Sequence, residues 1–437
     1  MWFSGIGEID AALTLGITVW VVIWWIFEPI PIPATSLLPL ALLPLFGVLS
    51  ANQVGQSYGH PLVLLLFGGF MLATALEKSG AHLRIALNMV RLFGGSSSRR
   101  LVFGFMAASA LLSMFISNTA TTLMLLPVAL AVVAKSDDDD LATPLLLGTA
   151  YAASIGGMGT PIGTPPNIVF MGVYAEVTGE IISFPQWMMW ALPVVLVMLP
   201  LAGFWITRHL SYQGQVDLPD VGQWRISERR VFIVFAVTAT LWITRTTPFG
   251  GWTEWIGFPY SNDAIVALLG AAVLFMIPDG EGGKLMDWEA ANRLPWGILI
   301  LFGAGLSIAA AFVSSGLGAI IAAGLEGLAD LPVLLMITVI CLSVTFLTEV
   351  TSNTATTVLL MPILAAVAVG VGADPKVFMI PAAMSASCAF MLPVATPPNI
   401  VVFSTGRIAI PTMVREGSAM NFAGVAVIST LTYLLLT

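Results

Sequence analysis

Apolar runs long enough to cross a bilayer recur along the chain, at 11–27, 34–49, 61–76, 184–206, 231–243, 264–277, 296–311 and 422–436. The pattern predicts a bundle of transmembrane helices. The first run ends at Glu28 and the alternating prolines Pro29, Pro31 and Pro33, which cannot continue a helix. Over 78–93, Lys78, Arg84 and Arg91 recur among apolar positions, which predicts an amphipathic helix at the membrane surface. The polar stretch 208–230, with Asp217, Asp220 and Arg225, reads as a linker between two halves.

Four segments do not fit simple spans. Segment 101–134 carries no charge, yet as one helix it would be roughly 51 Å long against a hydrocarbon core of about 30 Å. Its middle holds Ser117-Asn118-Thr119, so the pattern predicts a hairpin that enters and leaves on one side with its polar tip at mid-depth. Segment 331–373 repeats this, with Ser352-Asn353-Thr354 near its middle and Glu349 as its one charge. Segments 141–175 and 377–406 are also uncharged, and each is broken internally, over 159–167 and 393–399.

These segments form two pairs. Residues 117–122 recur identically as 352–357, an offset of 235; residues 164–169 recur as 396–401, an offset of 232; and 66–68 matches 301–303. Matched, interrupted hydrophobic segments in two halves point to a transporter binding site. Irregular backbone at membrane depth is tolerated where it is buried in protein or lines a cavity. Broken helices offer N–H groups that suit a carboxylate and carbonyls that suit a hard cation. Serine, threonine and asparagine add both without a fixed charge. A serine-asparagine-threonine run alone is also an ordinary cap or turn, and Pro-Pro-Asn alone an ordinary turn; the duplication in order is what favours a site. Glu349 is a functional candidate by its depth, but the matching residue of the first repeat is Met114, which favours a structural role.

Composition agrees. Of 437 residues, 58% are hydrophobic and 9% charged, against about 25% charged in soluble domains, and the mean hydropathy is +0.95. The net charge of −8 sits mostly in loops, including Asp137 to Asp140, and no nucleic-acid partner is expected. Cys341 and Cys388 lie in apolar segments, and His60, His82 and His209 are scattered, so neither a disulfide framework nor a metal centre is expected. Glu8 and Asp10 stand where a cleaved signal would be basic. Arg99 and Arg100 form the densest cationic cluster and are expected in the cytoplasm. The first hairpin is flanked by Arg99, Arg100 and Lys135 and the second by Asp330 and Asp374, so the two are expected to enter from opposite faces.

Twin serine-asparagine-threonine tips, each followed by a Pro-Pro-Asn break, resemble the divalent anion/sodium symporter family, over about 62–406, and among its members the bacterial sodium-dependent dicarboxylate transporters. The resemblance implies an all-α polytopic membrane protein with an inverted repeat, two re-entrant hairpins, two broken helices and roughly eleven transmembrane helices. It implies an elevator-type homodimer in a bacterial inner (plasma) membrane. Scaffold would occupy 1–95 and, together with the linker, 211–328; a moving transport domain would occupy 96–210 and 329–437. It implies sodium ions at two sites. The first would use Ser113, Ser117, Asn118 and the Gly163 carbonyl; the second would use Thr348, Asn353 and the carbonyls of Thr351 and Ala395. Substrate carboxylates would meet Ser117, Asn118, Thr119, Thr164, Pro165, Ser352, Asn353, Thr354, Thr396 and Pro397.

This pocket contains no lysine or arginine, so bound sodium has to supply the positive charge that a dianion needs at mid-membrane. Glu349 is the only acid in the four broken segments and no histidine lies there, so transport is expected to be sodium-driven and electrogenic rather than proton-driven. A sodium-independent dicarboxylate exchanger and a sodium-coupled citrate or sulfate transporter remain alternatives on the same fold. An intramembrane enzyme would need a nucleophile or metal constellation, and ATP hydrolysis a phosphate-binding loop; neither pattern is present. A channel needs no duplicated tips.

Overall fold

The computed structural model describes residues 6–437 apart from 94–96, 137, 139, 211–221, 247–249 and 325–330. The described residues form helices, with one isolated bridge between Pro278 and Lys284. The first half runs α1 (Ile6–Phe27), α2 (Ile32–Thr35), α3 (Leu37–Leu45), α4 (Ala51–Tyr58), α5 (Pro61–Ser79), α6 (Ala81–Phe93), α7 (Ser98–Ser113), α8 (Asn118–Lys135), α9 (Ala142–Gly157), α10 (Pro165–Thr178) and α11 (Phe184–Ile206). The second runs α12 (Ile226–Ile243), α13 (Gly251–Ile256), α14 (Asp263–Met276), α15 (Trp288–Ala291), α16 (Trp296–Ser314), α17 (Leu317–Gly324), α18 (Val333–Leu347), α19 (Asn353–Gly370), α20 (Lys376–Ser385), α21 (Pro397–Phe403) and α22 (Ile410–Leu436). Among the described residues, seven candidate spans are long and apolar enough to cross a membrane.

The long uncharged segments break where expected. The first hairpin is α7 and α8, the second α18 and α19; the broken helices are α9–α10 and α20–α21. Ser98 donates to Asp138 and closes the base of the first hairpin, next to the start of α9. At the far end of α9–α10, Tyr174 donates to Asp374, in the turn that follows α19. The two hairpins therefore enter from opposite faces. Of the flanking charges used for that expectation, Asp330 lies outside the described residues; of the acidic run after α8, so do Asp137 and Asp139.

Several helices run longer than the apolar pattern indicates, two of them at a buried, paired acid. The last begins at Ile410 instead of 422, because its buried Glu416 takes two bonds from Arg208, at 2.7 and 2.9 Å, so a charge no longer ends the helix. The helix expected at 231–243 begins at Ile226, where buried Glu228 accepts from Arg84 at 2.8 Å. The same Arg84 donates to the carbonyls of Gly222 and Gln223, tying amphipathic α6 to the end of the linker. The rest of that linker, with Asp217 and Asp220, lies outside the described residues.

Candidate functional site

Each hairpin tip is a helix start built by a serine cap. Ser117 accepts from the Ala120 N–H at 3.1 Å and Ser352 from the Ala355 N–H at 3.5 Å, satisfying donors that the new helix leaves free. The next residue, Asn118 or Asn353, then opens its helix. Its Oδ1 turns back onto the arm that came before: Ser113 donates to Asn118 at 2.5 Å and Thr348 to Asn353 at 2.6 Å. Both tips thus carry the same hydroxyl–amide pair, five residues apart.

The breaks follow from paired prolines. Pro165-Pro166 and Pro397-Pro398 stand at the first helical positions, where the missing N–H is no loss. The following asparagine braces each break. Asn167 Nδ2 donates to the carbonyls of Gly157 (3.0 Å) and Thr160 (2.7 Å). Asn399 Nδ2 donates to those of Ala389 (3.1 Å) and Leu392 (2.9 Å), the matching positions. Hairpin and break are also tied together. In the first repeat the Thr160 hydroxyl donates to the Met114 carbonyl. In the second, the Glu349 carboxylate accepts the N–H groups of Met391 (2.9 Å) and Leu392 (3.0 Å) and the Asn421 side chain (2.7 Å), while Asn421 accepts the Phe390 N–H. The carboxylate of Glu349 thus satisfies backbone donors freed by the break. Gly163 is dictated by proximity: a Cβ there would fall 2.4 Å from the Gly157 carbonyl oxygen and 2.9 Å from that of Ser113.

The two tips and two breaks meet around one cavity of 720 Å³. Its wall contains Ser117, Asn118, Thr119, Gly163, Thr164 and Pro165 from the first repeat, and Thr351, Ser352, Asn353, Thr354, Ala395, Thr396 and Pro397 from the second. Ser113 and Thr348 stand behind it, fully buried, and reach it through their asparagines. The opposite wall, unforeseen from the sequence, is one face of α5 (Phe70, Ala73, Thr74, Glu77) with Ile298 of α16. That face was visible only as part of a uniformly apolar run. The charged residues lining the cavity are Glu28, Glu77 and Arg293, and Arg293 is paired with Glu289 at 2.9 Å. The tips and breaks themselves contribute no charged group to the cavity.

The rim lies at the cation-rich face. The Phe184 N–H donates to Asp263, so α11 and α14 start at one face. At their other ends the Met276 carbonyl accepts Lys284 and the Thr207 carbonyl accepts Arg99, and Lys78 pairs with Asp287 beside Lys284. Glu77 adjoins Lys78, so this part of the cavity wall reaches the face that the positive-inside rule assigns to the cytoplasm.

The model of the citrate transporter family matches residues 22–376. The chain is 40% identical to the sodium-dependent dicarboxylate transporter SdcS of Staphylococcus saprophyticus, over 96% of this chain and 85% of that one. It is 39% identical to SdcS of Staphylococcus aureus strain NCTC 8325, over 96% and 85%. Two solved structures share the fold at 15% identity. The Alcanivorax borkumensis YdaH transporter superposes with a TM-score of 0.64 over 97% of this chain and 98% of that one. Neisseria gonorrhoeae MtrF superposes with 0.63 over 98% and 95%. With duplicated tips and breaks around one cavity, a matching family model and relatives over nearly its whole length, the chain belongs to the divalent anion/sodium symporter family, a family of multi-pass membrane transporters.

Proposed function

We propose that this protein is a sodium-coupled symporter of C4 dicarboxylates such as succinate, malate and fumarate, working by an elevator motion. The observation that carries the reading is the cavity itself. It is large enough for a small dianion and lined by hydroxyls, amides and helix starts from both repeats, with no lysine or arginine at the tips or breaks. Such a lining binds an anion weakly unless a cation is bound beside it. The tip asparagines supply the link, each touching the cavity and the hydroxyl behind it. In this reading Ser113, Ser117, Asn118 and the Gly163 carbonyl hold one sodium ion, and Thr348, Asn353 and the carbonyls of Thr351 and Ala395 a second. The substrate carboxylates lie between Ser117, Asn118, Thr119, Thr164 and Pro165 on one side and Ser352, Asn353, Thr354, Thr396 and Pro397 on the other. Sodium and dianion then raise each other's affinity by the same factor.

The elevator reading divides the chain into scaffold (1–95 and, together with the linker, 211–328) and transport domain (96–210 and 329–437), with the scaffold pairing two copies. The bond network of the second break supports grouping α22 with the transport domain, since Asn421 holds the break and Glu416 holds Arg208. The test is uptake of labelled succinate into proteoliposomes. The expected result is accumulation driven by an inward sodium gradient. Full uptake with choline replacing sodium would favour the exchanger instead.

A further inference from the structure

The two repeats differ in one place that neither proposed sodium site uses. In the second repeat Thr345, Ser385 and Ser387 are at most 1% exposed, and none of their hydroxyl oxygens has a nitrogen or oxygen hydrogen-bond partner, the Ser385 hydroxyl meeting only the Cys341 thiol. A buried hydroxyl left unpaired carries the full cost of its lost hydration, so each such group calls for an explanation. At the matching positions the first repeat has Ala110, Ala153 and Ile155, all apolar.

We infer that the second repeat holds a further alkali-cation site between α18 and the end of α20, centred on the hydroxyls of Thr345 and Ser385, with Ser387 in the same turn. The inference rests on the sodium-coupled reading only for which cation fills it. Cys341, Thr345 and Thr348 follow one another along a single face of α18. That face packs on the end of α20: the Ser385 hydroxyl lies beside the Cys341 thiol, and Thr348 donates to the Ala386 carbonyl at 3.1 Å. Thr345 stands between these two contacts and faces the same turn. Because α20 stops at Ser385, the negative end of its dipole points there, which favours a cation; the Met384 and Ser385 carbonyls already accept the Ser387 and Cys388 N–H groups, so the hydroxyls are the free oxygens.

Charge points the same way. Glu349 is buried, is in no ion pair among the described residues, and lies within electrostatic reach of Cys388, which is in turn within reach of Cys341. In the proposed function a sodium ion at Thr348 already adjoins this carboxylate, and a second cation one turn further along α18 would share the same negative charge. The first repeat lacks the acid as well as the hydroxyls. It also lacks room: a Cβ at Gly156 would sit 2.2 Å from the Ala110 carbonyl oxygen, so the equivalent helices are in direct backbone contact. In the second repeat Cys388 replaces that glycine and Thr345 that alanine, so the backbone approach of the first repeat has no glycine to allow it. Neutral hard oxygens with a single negative charge nearby suit sodium better than a divalent ion or a transition metal.

The substitutions Thr345→Ala and Ser385→Ala install the first repeat's own residues. In proteoliposomes, labelled sodium and labelled succinate are counted together in the same uptake. Each variant is expected to carry one sodium fewer per succinate than wild type and to lose acceleration by an inside-negative potential, while Ser385→Thr keeps the wild-type ratio. Ratios equal to wild type in both alanine variants overturn the site and leave the hydroxyls to water. Sodium-dependent thermal stabilisation, measured without succinate, covers a variant that cannot transport: a shallower sodium dependence than wild type supports the site, and an unchanged one overturns it. Wild type that shows no sodium-driven succinate uptake defeats the proposed function instead, and the thermal measurement still decides whether a cation binds here.

Discussion

At position 114 the first hairpin presents a methionine whose carbonyl accepts the Thr160 hydroxyl; at the matching position 349 the second presents a glutamate whose carboxylate accepts the Met391 and Leu392 N–H groups. In both repeats the break donates to the hairpin, but side chain to backbone in the first and backbone to side chain in the second. In the first repeat the freed donors are met locally, since the N–H groups of Met158 and Gly159 return to the carbonyls of Ile155 and Gly156. In the second they are met from far along the chain, by Glu349 and by Asn421 of α22. Buried backbone in a membrane has to be satisfied within the protein, and the two halves solve this with different residues while keeping identical tips. The sequence facing the cavity is therefore more alike between the two halves than the sequence that supports it. The second repeat also depends on an element outside itself, so substitutions in α22 reach the second break and have no counterpart in the first.

This difference is broken most sharply at Glu349. Glu349→Ala strands two N–H groups and the Asn421 amide at mid-membrane. Bonds to a charged group contribute about 1.5–3 kcal/mol each, so loss of even two of these three is expected to raise the sodium concentration for half-maximal succinate uptake by about a hundredfold or more, or to abolish uptake. Thr160→Val removes one neutral bond, about 1 kcal/mol, and is expected to cost about fivefold. Sodium titration of both variants measures the ratio; a larger loss in Thr160→Val would mean that the carboxylate is not what holds the second break.

Much of this was legible beforehand. The tips and breaks stood out because an uncharged segment too long for one crossing has to fold back, and because identical hexapeptides at a fixed offset mark equivalent places. The supports were not legible. The partners of Glu349 are backbone N–H groups, which any residue carries, and Asn421 is one polar residue in an apolar helix. The wall formed by Phe70, Ala73, Thr74 and Glu77 belongs to a helix apolar on most sides, so periodicity did not single out a face. The early start of α22 was hidden because Glu416 reads as a terminator until Arg208, far away in sequence, is seen beside it.

The tips offer the complementary test, because there the repeats should agree. Asn118→Ala and Asn353→Ala each remove the amide that faces the cavity and accepts from the hydroxyl behind it. Each is expected to weaken sodium and succinate together by about tenfold, corresponding to about 1.4 kcal/mol. The measurement is succinate affinity at several sodium concentrations and sodium activation at several succinate concentrations. Normal sodium activation with lost succinate affinity, in either variant, would show that the amide serves the anion alone.

The mildest change tests whether Ser113 and Thr348 are equivalent. Thr348→Ser keeps the hydroxyl and gives the second site the residue of the first. The hydroxyl is held by two acceptors, Asn353 Oδ1 at 2.6 Å and the Ala386 carbonyl at 3.1 Å, so its position does not depend on the methyl alone. The methyl is fully buried, and its loss is expected to lower stability by about 1 kcal/mol. Serine is also freer at χ1 than threonine, which adds a small entropic cost to ordering the site. Sodium half-saturation is therefore expected to rise by no more than about threefold, since less than 1 kcal/mol is at stake in binding. Thr348→Val keeps the shape and removes the donor, leaving Asn353 Oδ1 without its partner, and is expected to resemble Asn353→Ala. Titrating sodium for the two side by side separates packing from ligation. If serine is as damaging as valine, the shape of the side chain rather than its hydroxyl sets the second site, and the likeness of positions 113 and 348 is one of sequence only.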